Sequence, residues 1–184
     1  MPINSFEKDD KARKRAPDLE RDENGHTFLT EQYIKEICDL NGQFETPYLN
    51  DTLYLHFKGF AKIECLEKYT HLKSIWLECN GLKRIEGLDF QYKLRMLMLH
   101  QNTISKIENI CHLTKLVKIN LSQNFIKKIE GLKGLDLLTT IDLSGNLIPD
   151  TKSCEELLYL PSLASIDLKN NVIDDGDNIV PFFS

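Results

Sequence analysis

The sequence predicts an α/β solenoid, a right-handed superhelix with a short parallel β-sheet on its concave face and 3₁₀ or helical segments on its convex face. Three observations carry this. Leu72, Leu94, Leu116 and Leu138 recur at intervals of 22 residues. Each opens the pattern Leu-x-x-[Ile/Leu]-x-Leu-x-x-Asn-x-[Leu/Ile], and a fifth copy begins at Leu163, after 25 residues. An asparagine holds the same place in every copy, as Asn80, Asn102, Asn124, Asn146 and Asn171. Repetition at constant phase means stacked units, whereas one isolated copy would carry no weight.

Residues 1–26 are rich in Asp, Glu, Lys and Arg and poor in large apolar side chains. Such a segment cannot bury enough surface to offset its ordering entropy, so a disordered charged tail is expected. Its basic run Lys11-Ala12-Arg13-Lys14-Arg15 is flanked by acidic residues and reads as a solvated tail. Residues 27–49 form an N-terminal cap and linker. Thr30 suits a helix N-cap, Glu31 suits the first turn, and Tyr33, Ile34, Ile37 and Leu40 make an apolar stripe at helical spacing. Asn41-Gly42 supplies the stop.

The repeats are expected to fill residues 50–184, with units starting near 50, 72, 94, 116, 138 and 163. In the first, Lys58 replaces the asparagine, as suits a terminal unit. Within [Ile/Leu]-x-Leu the two apolar side chains share one face of a strand and point inward. Stacking alone covers that face, so each unit depends on its neighbours. The asparagine amide both donates and accepts, and it is expected to bond backbone groups at the turn leaving each strand, as one rung of a buried ladder.

The convex segments, such as Arg84-Ile85-Glu86 and Lys106-Ile107-Glu108, are short enough for 3₁₀ turns. Like charges would stack there, compensated by adjacent basic and acidic rows. After Ile148 the three extra residues and the Leu157, Leu158, Leu160 cluster predict a true helix, capped by Asp150 or Ser153.

Several function classes drop out. A net charge of −5 is wrong for a nucleic-acid binder. No apolar run approaches the ~20 residues of a membrane span, and MPINSFEKDDKARKR is too charged for a signal peptide, so a cytoplasmic location is expected. Cys38, Cys65, Cys79, Cys111 and Cys154 are odd in number and never in a CxxC pair, so mostly buried, reduced thiols are expected. The sequons at Asn50 and Asn120 read as chance matches, and His71 and His112 as solvated. No nucleophile motif, phosphate loop or metal-ligand spacing is present, which predicts a protein without catalysis, cofactor or metal. Asp142 and Asp167 align on neighbouring units but read as surface polar residues.

What remains is a recognition surface. The outward strand positions in the amino-terminal half are Tyr54, His56, Trp76, Glu78, Met96, Met98 and His100, followed by the polar Asn120, Asp142 and Asp167. Exposed aromatic and methionine side chains in one patch point to a protein partner. The Tyr54–Trp76–Met98 half is the expected binding site, on a monomer.

The stretch Leu49-Asn50-Asp51-Thr52-Leu53-Tyr54-Leu55-His56-Phe57-Lys58-Gly59-Phe60, with Ile63-Glu64, Leu66-Glu67, Tyr69-Thr70 and Leu72, resembles the opening of the dynein axonemal assembly factor 1 family. That resemblance implies a leucine-rich repeat scaffold that helps preassemble axonemal dynein arms in the cytoplasm for cilia or flagella. It implies axonemal dynein subunits, chaperones or other assembly factors as partners. The family continues into a C-terminal cap, whereas this sequence ends at Pro181-Phe182-Phe183-Ser184, so a missing cap is expected. The later repeats are also similar to phosphatase-1 regulatory proteins, and a centrosomal or microtubule-associated adaptor is a third reading.

Overall fold

Stacking units of 22 residues in phase brings every [Ile/Leu]-x-Leu segment beside its counterpart. The computed structural model, which describes residues 18–21, 23, 25 and 27–174, accordingly contains one sheet of six parallel strands in chain order. They are β1 (Thr52–Tyr54), β2 (Ser74–Trp76), β3 (Met96–Met98), β4 (Lys118–Asn120), β5 (Thr140–Asp142) and β6 (Ser165–Asp167). Their central residues Leu53, Ile75, Leu97, Ile119, Ile141 and Ile166 lie in register. With Leu55, Leu77, Leu99, Leu121 and Leu143 they build the strand side of a continuous core. Ile63, Ile85, Ile107 and Ile129 close it from the convex side.

Each asparagine ties two layers together. Asn102 donates to Leu77 O (3.1 Å) in the preceding unit and to Leu99 O (3.0 Å) in its own, while its Oδ1 accepts from Leu82 N–H (3.1 Å). Asn124 and Asn146 repeat the pattern one and two layers on. Asn80 and Asn171 complete the series at the two ends. The first unit lacks its asparagine, and there Thr27 Oγ1 donates to Lys58 O (3.0 Å) while Thr27 bridges to Phe60 in parallel.

The residue before each rung is left-handed, at φ between +55° and +67° for Cys79, Gln101, Gln123, Gly145 and Asn170. A second left-handed position recurs on the convex side at Cys65, Gly87, Asn109 and Gly131. Gly87 lies so close to the layer below that a Cβ would stand 2.1 Å from Ile63 O.

Helix α1 spans Glu31–Leu40, with Thr30 Oγ1 accepting from Tyr33 N–H and Gly42 left-handed (φ +67°) beyond its end. Tyr33, Ile34, Ile37 and Cys38 are buried on it, and Tyr33 meets Phe60 edge-on at 5.6 Å. Burial pushes the Tyr33 hydroxyl up to about 12. The salt bridge from Lys68 to Glu31 (2.6 Å) clips the outer face. A 3₁₀ turn at Pro47–Leu49 leads into β1, and the buried Asn50 closes the linker by bonding Phe44 N–H and O.

Several expectations need correcting. The described end of the charged tail is not free of the fold: Leu19 packs against the core and Arg21 bridges to Thr27. Residues 1–17, 22, 24 and 26 of that tail lie outside the described residues, as do residues 175–184, where a missing cap was expected. The convex sides of the earlier units carry only turns closed by i→i+3 bonds, such as Leu94 N–H to Gln91 O, as their length predicts. The fourth unit forms a 3₁₀ helix at Lys152–Tyr159 instead of an α-helix. A 3₁₀ segment rises about 2.0 Å per residue, so it crosses the back of one layer with few residues. Asp150 accepts from Ser153 N–H (2.7 Å), and Ser153 holds its carboxyl below the usual range. Glu156 accepts from Leu132 and Lys133 N–H, docking that helix on the preceding turn.

Convex charges pair diagonally between layers, Arg84 with Glu108 (2.8 Å) and Lys106 with Glu130 (3.6 Å). These pairs are exposed to solvent, so screening leaves them little net weight in the fold. His71 is exposed, as expected, and bonds Tyr48 O of the linker, whereas His112 is half-buried and bonds Leu88 O of the preceding layer. Only Cys38 and Cys154 among the cysteines are buried, while Cys111 is exposed.

Asn102→Ala strands buried backbone groups and is expected to cost about 1–3 kcal/mol, read as a lower denaturant midpoint. The half-buried Asn171→Ala should cost less. Gly87→Ala should exceed the ~1–2 kcal/mol of a left-handed side chain alone, because its Cβ meets rigid backbone. Gly145→Ala meets chiefly the flexible Gln123 side chain and should lose less in the same measurement.

Candidate functional site

Register turns the outward strand positions into rows across the sheet. Tyr54, Trp76, Met98, Asn120, Asp142 and Asp167 form one row. Thr52, Ser74, Met96, Lys118, Thr140 and Ser165 form another. Past the strand ends, His56, Glu78, His100 and Ser122 recur at the same point of successive units. All ten expected face residues therefore lie on one side of the sheet, with very different surroundings.

Tyr54 is 40% exposed and stacks on Trp76, with ring centroids 6.2 Å apart and planes 27° from parallel. Trp76 and Met96 are half-buried. Met98 was expected to be exposed, yet it is only 6% exposed. Neighbouring strands lie ~4.8 Å apart, so a side chain between two long neighbours is covered from both sides. Met98 sits between Trp76 and Asn120 and is buried on the concave side, apart from the interior core.

Glu78 is 7% exposed. Its Oε1 lies 3.8 Å from His56 Nδ1, too far for a hydrogen bond, and its Oε2 has no partner. His56 Nδ1 and His100 Nδ1 are likewise buried without partners. His56 meets Tyr54 edge-on at 6.3 Å and Phe57 at 5.5 Å. The polar half is locally engaged. Asn120 Oδ1 accepts from Ser122 N–H and Oγ–H, Asp142 Oδ1 accepts from the same groups of Ser144, and Asp167 Oδ1 accepts from Lys169 N–H. Asp142 and Asp167 thus each brace their own turn instead of sharing a proton.

Sequence reasoning missed Phe57, which is 68% exposed with φ +56°. A bulky aromatic in the left-handed region is strained, but the turn imposes that conformation on the equivalent residue of every unit. The signal was the equivalent position in later units, where Gly145 and Asn170 mark a left-handed site. It also missed a side-chain chain along the rim, from Cys79 Sγ–H to Gln101 Oε1 and from Gln101 Nε2 to Gln123 Oε1. Burial and the adjacent Glu78 carboxylate push the Cys79 thiol up, in keeping with its role as donor.

Among the described residues no group of three or more His, Cys, Asp or Glu side chains could hold a metal, and no helix is long and apolar enough to cross a membrane. A hollow of about 630 Å³ lies elsewhere, beside the 3₁₀ helix, lined by Lys133, Asp136, Glu156, Tyr159 and Leu160. Those residues form no nucleophile–base pair.

A family model for leucine-rich repeats (two copies) matches residues 93–134. Among solved structures, internalin C2 of Listeria monocytogenes superposes with a TM-score of 0.65 at 20% identity, over 77% of this chain and 66% of that one. An internalin (inlF) from the same organism superposes at 0.60 and 22% identity, over 77% and 46%. Both likenesses concern the fold alone. The dynein axonemal assembly factor 1 homolog of Drosophila yakuba is 54% identical over 54 residues, 29% of this chain and 4% of the relative. Dynein axonemal assembly factor 1 of Rattus norvegicus is 50% identical over 58 residues, 32% of this chain and 9% of the relative. The matched segments thus span less than a tenth of those relatives' length. The chain has a leucine-rich repeat fold and is similar, over about a third of its length, to dynein axonemal assembly factor 1.

Proposed function

We propose that the chain is a non-catalytic protein-binding scaffold that serves the preassembly of axonemal dynein arms. It works in the cytoplasm and engages dynein subunits, chaperones or other assembly factors through the amino-terminal half of its concave face. The stacked, partly exposed Tyr54–Trp76 pair carries this reading. Aromatic side chains at the centre of a rigid surface are the usual anchors of protein interfaces. The similarity to dynein axonemal assembly factor 1 supports the choice of partner class.

Affinity capture from ciliating cells tests it. Wild type is expected to retain axonemal dynein chains, and the Tyr54→Ala/Trp76→Ala double variant to lose them while melting within a few degrees of wild type. Retention by the double variant, or no dynein chain with wild type, would overturn the reading. The buried Met98 is a contrasting probe, because Met98→Ala removes packed volume and is expected to cost about 2 kcal/mol or more in a denaturant titration. A Met98→Ala midpoint equal to wild type would show that this side chain supports nothing.

A further inference from the structure

We propose that the Tyr54–Trp76–Glu78 corner receives one arginine side chain, presented by an extended segment of a protein partner. This rests on the concave-face reading and names the chemistry that the face recognises.

Two groups with different preferences meet at the corner. Tyr54 and Trp76 form a stacked platform whose outer ring is exposed, and ring faces attract cations. Glu78 follows Trp76 by two residues on the same side of the sheet, more than nine-tenths buried, with Oε2 unpartnered. A buried carboxylate oxygen without a donor is costly, and the surrounding side chains do not supply one. His56 Nδ1 stands 3.8 Å from the other oxygen, and the Nδ1 atoms of His56 and His100, at the same point of the neighbouring units, are themselves unpaired. The terminal torsion of a glutamate is soft, so Oε2 can turn toward the concave channel.

Charge complementarity selects a cation. The outward positions of β1, β2 and β3 and of the residues just past them include one carboxylate, Glu78, and no lysine or arginine. Concave cations appear only later, at Lys118 and Lys169. An acidic segment would be repelled here, and an apolar one would leave Oε2 unpaired.

Arginine suits the corner better than lysine. Its planar guanidinium stacks on an aromatic ring and pairs edge-on with a carboxylate, and it sheds water more readily than a compact ammonium. Phe57, exposed and held at φ +56° next to His56, adds an apolar wall at the rim for the arginine stem.

Trp76 is the only tryptophan in the chain, so its fluorescence reports on the corner directly. The full chain is titrated with a short Gly/Ser peptide bearing spaced arginines and with its citrulline and lysine counterparts. A saturable fluorescence change is expected with arginine, weaker by roughly tenfold or more with citrulline, and weaker to a lesser degree with lysine. Glu78→Gln keeps the side-chain shape and is expected to weaken arginine binding by a similar factor with its melting temperature retained. Equal binding of the citrulline peptide, or unchanged binding by Glu78→Gln, overturns the proposal. So does binding that appears only after Lys11, Arg13, Lys14 and Arg15 are changed to serine, because the occupant is then the chain's own basic run. Loss of dynein capture in the Tyr54/Trp76 variant without any arginine response leaves the concave face standing and rejects the arginine. Absence of both rejects the two together.

Discussion

One constraint governs the molecule: each circuit of the chain must return one strand spacing further on, with its buried backbone groups paired. A single asparagine amide in every layer after the first meets it. Its two donors satisfy carbonyls of two layers and its oxygen accepts an amide of the earlier one, as Asn102 does for Leu77, Leu99 and Leu82. No apolar side chain could do this, and no longer amide would sit so close to the backbone it serves. The left-handed residue before each rung belongs to the same device, because the chain must reverse there to present the amide inward. Packing of Leu and Ile supplies the driving force, but the rungs decide where each strand ends.

From that follows the alignment of the concave face. Rungs in phase place outward side chains in straight rows, so Tyr54, Trp76 and Met98 become neighbours although 22 residues separate each from the next. The same closeness that makes a patch also shields its middle. Met98 is buried by this crowding, whereas Tyr54 on the first strand keeps an open face and offers its ring to Trp76. The patch is a graded surface, open at the first strand and closed by the third.

The features legible in the sequence were those that repeat. Period, strand positions, rung asparagines and the inward leucines all follow from phase, and α1 follows from its cap and apolar stripe. Features that depend on a single residue were not legible. The bridge of Thr27 to Phe60 and the packing of Leu19 against the core have no periodic trace. Alternation shows which way Met98 points but not how much of it two neighbours cover. The choice of 3₁₀ over α at Lys152–Tyr159 reflects how much back surface one layer offers, a length that local composition does not encode. Phe57 resembles no left-handed residue, and only its equivalents Gly145 and Asn170 reveal the conformation.

The placement of the aromatic corner beside the cap is the last consequence. A binding face gains affinity when its side chains are already held in place, because less entropy is lost on association. In a solenoid each layer leans on its neighbours, so an end layer is the one most in need of support. Here the first layer is held by Thr27 on Lys58 and Phe60, by Tyr33 against Phe60 and by Lys68 on Glu31. Beyond it, Asn80 binds the backbone of residues 55–60 from the second layer. The strand that carries Tyr54 is thus fastened on both sides. The strain at Phe57 and the unpaired oxygen of Glu78 can persist there because the surrounding layers hold them rigidly.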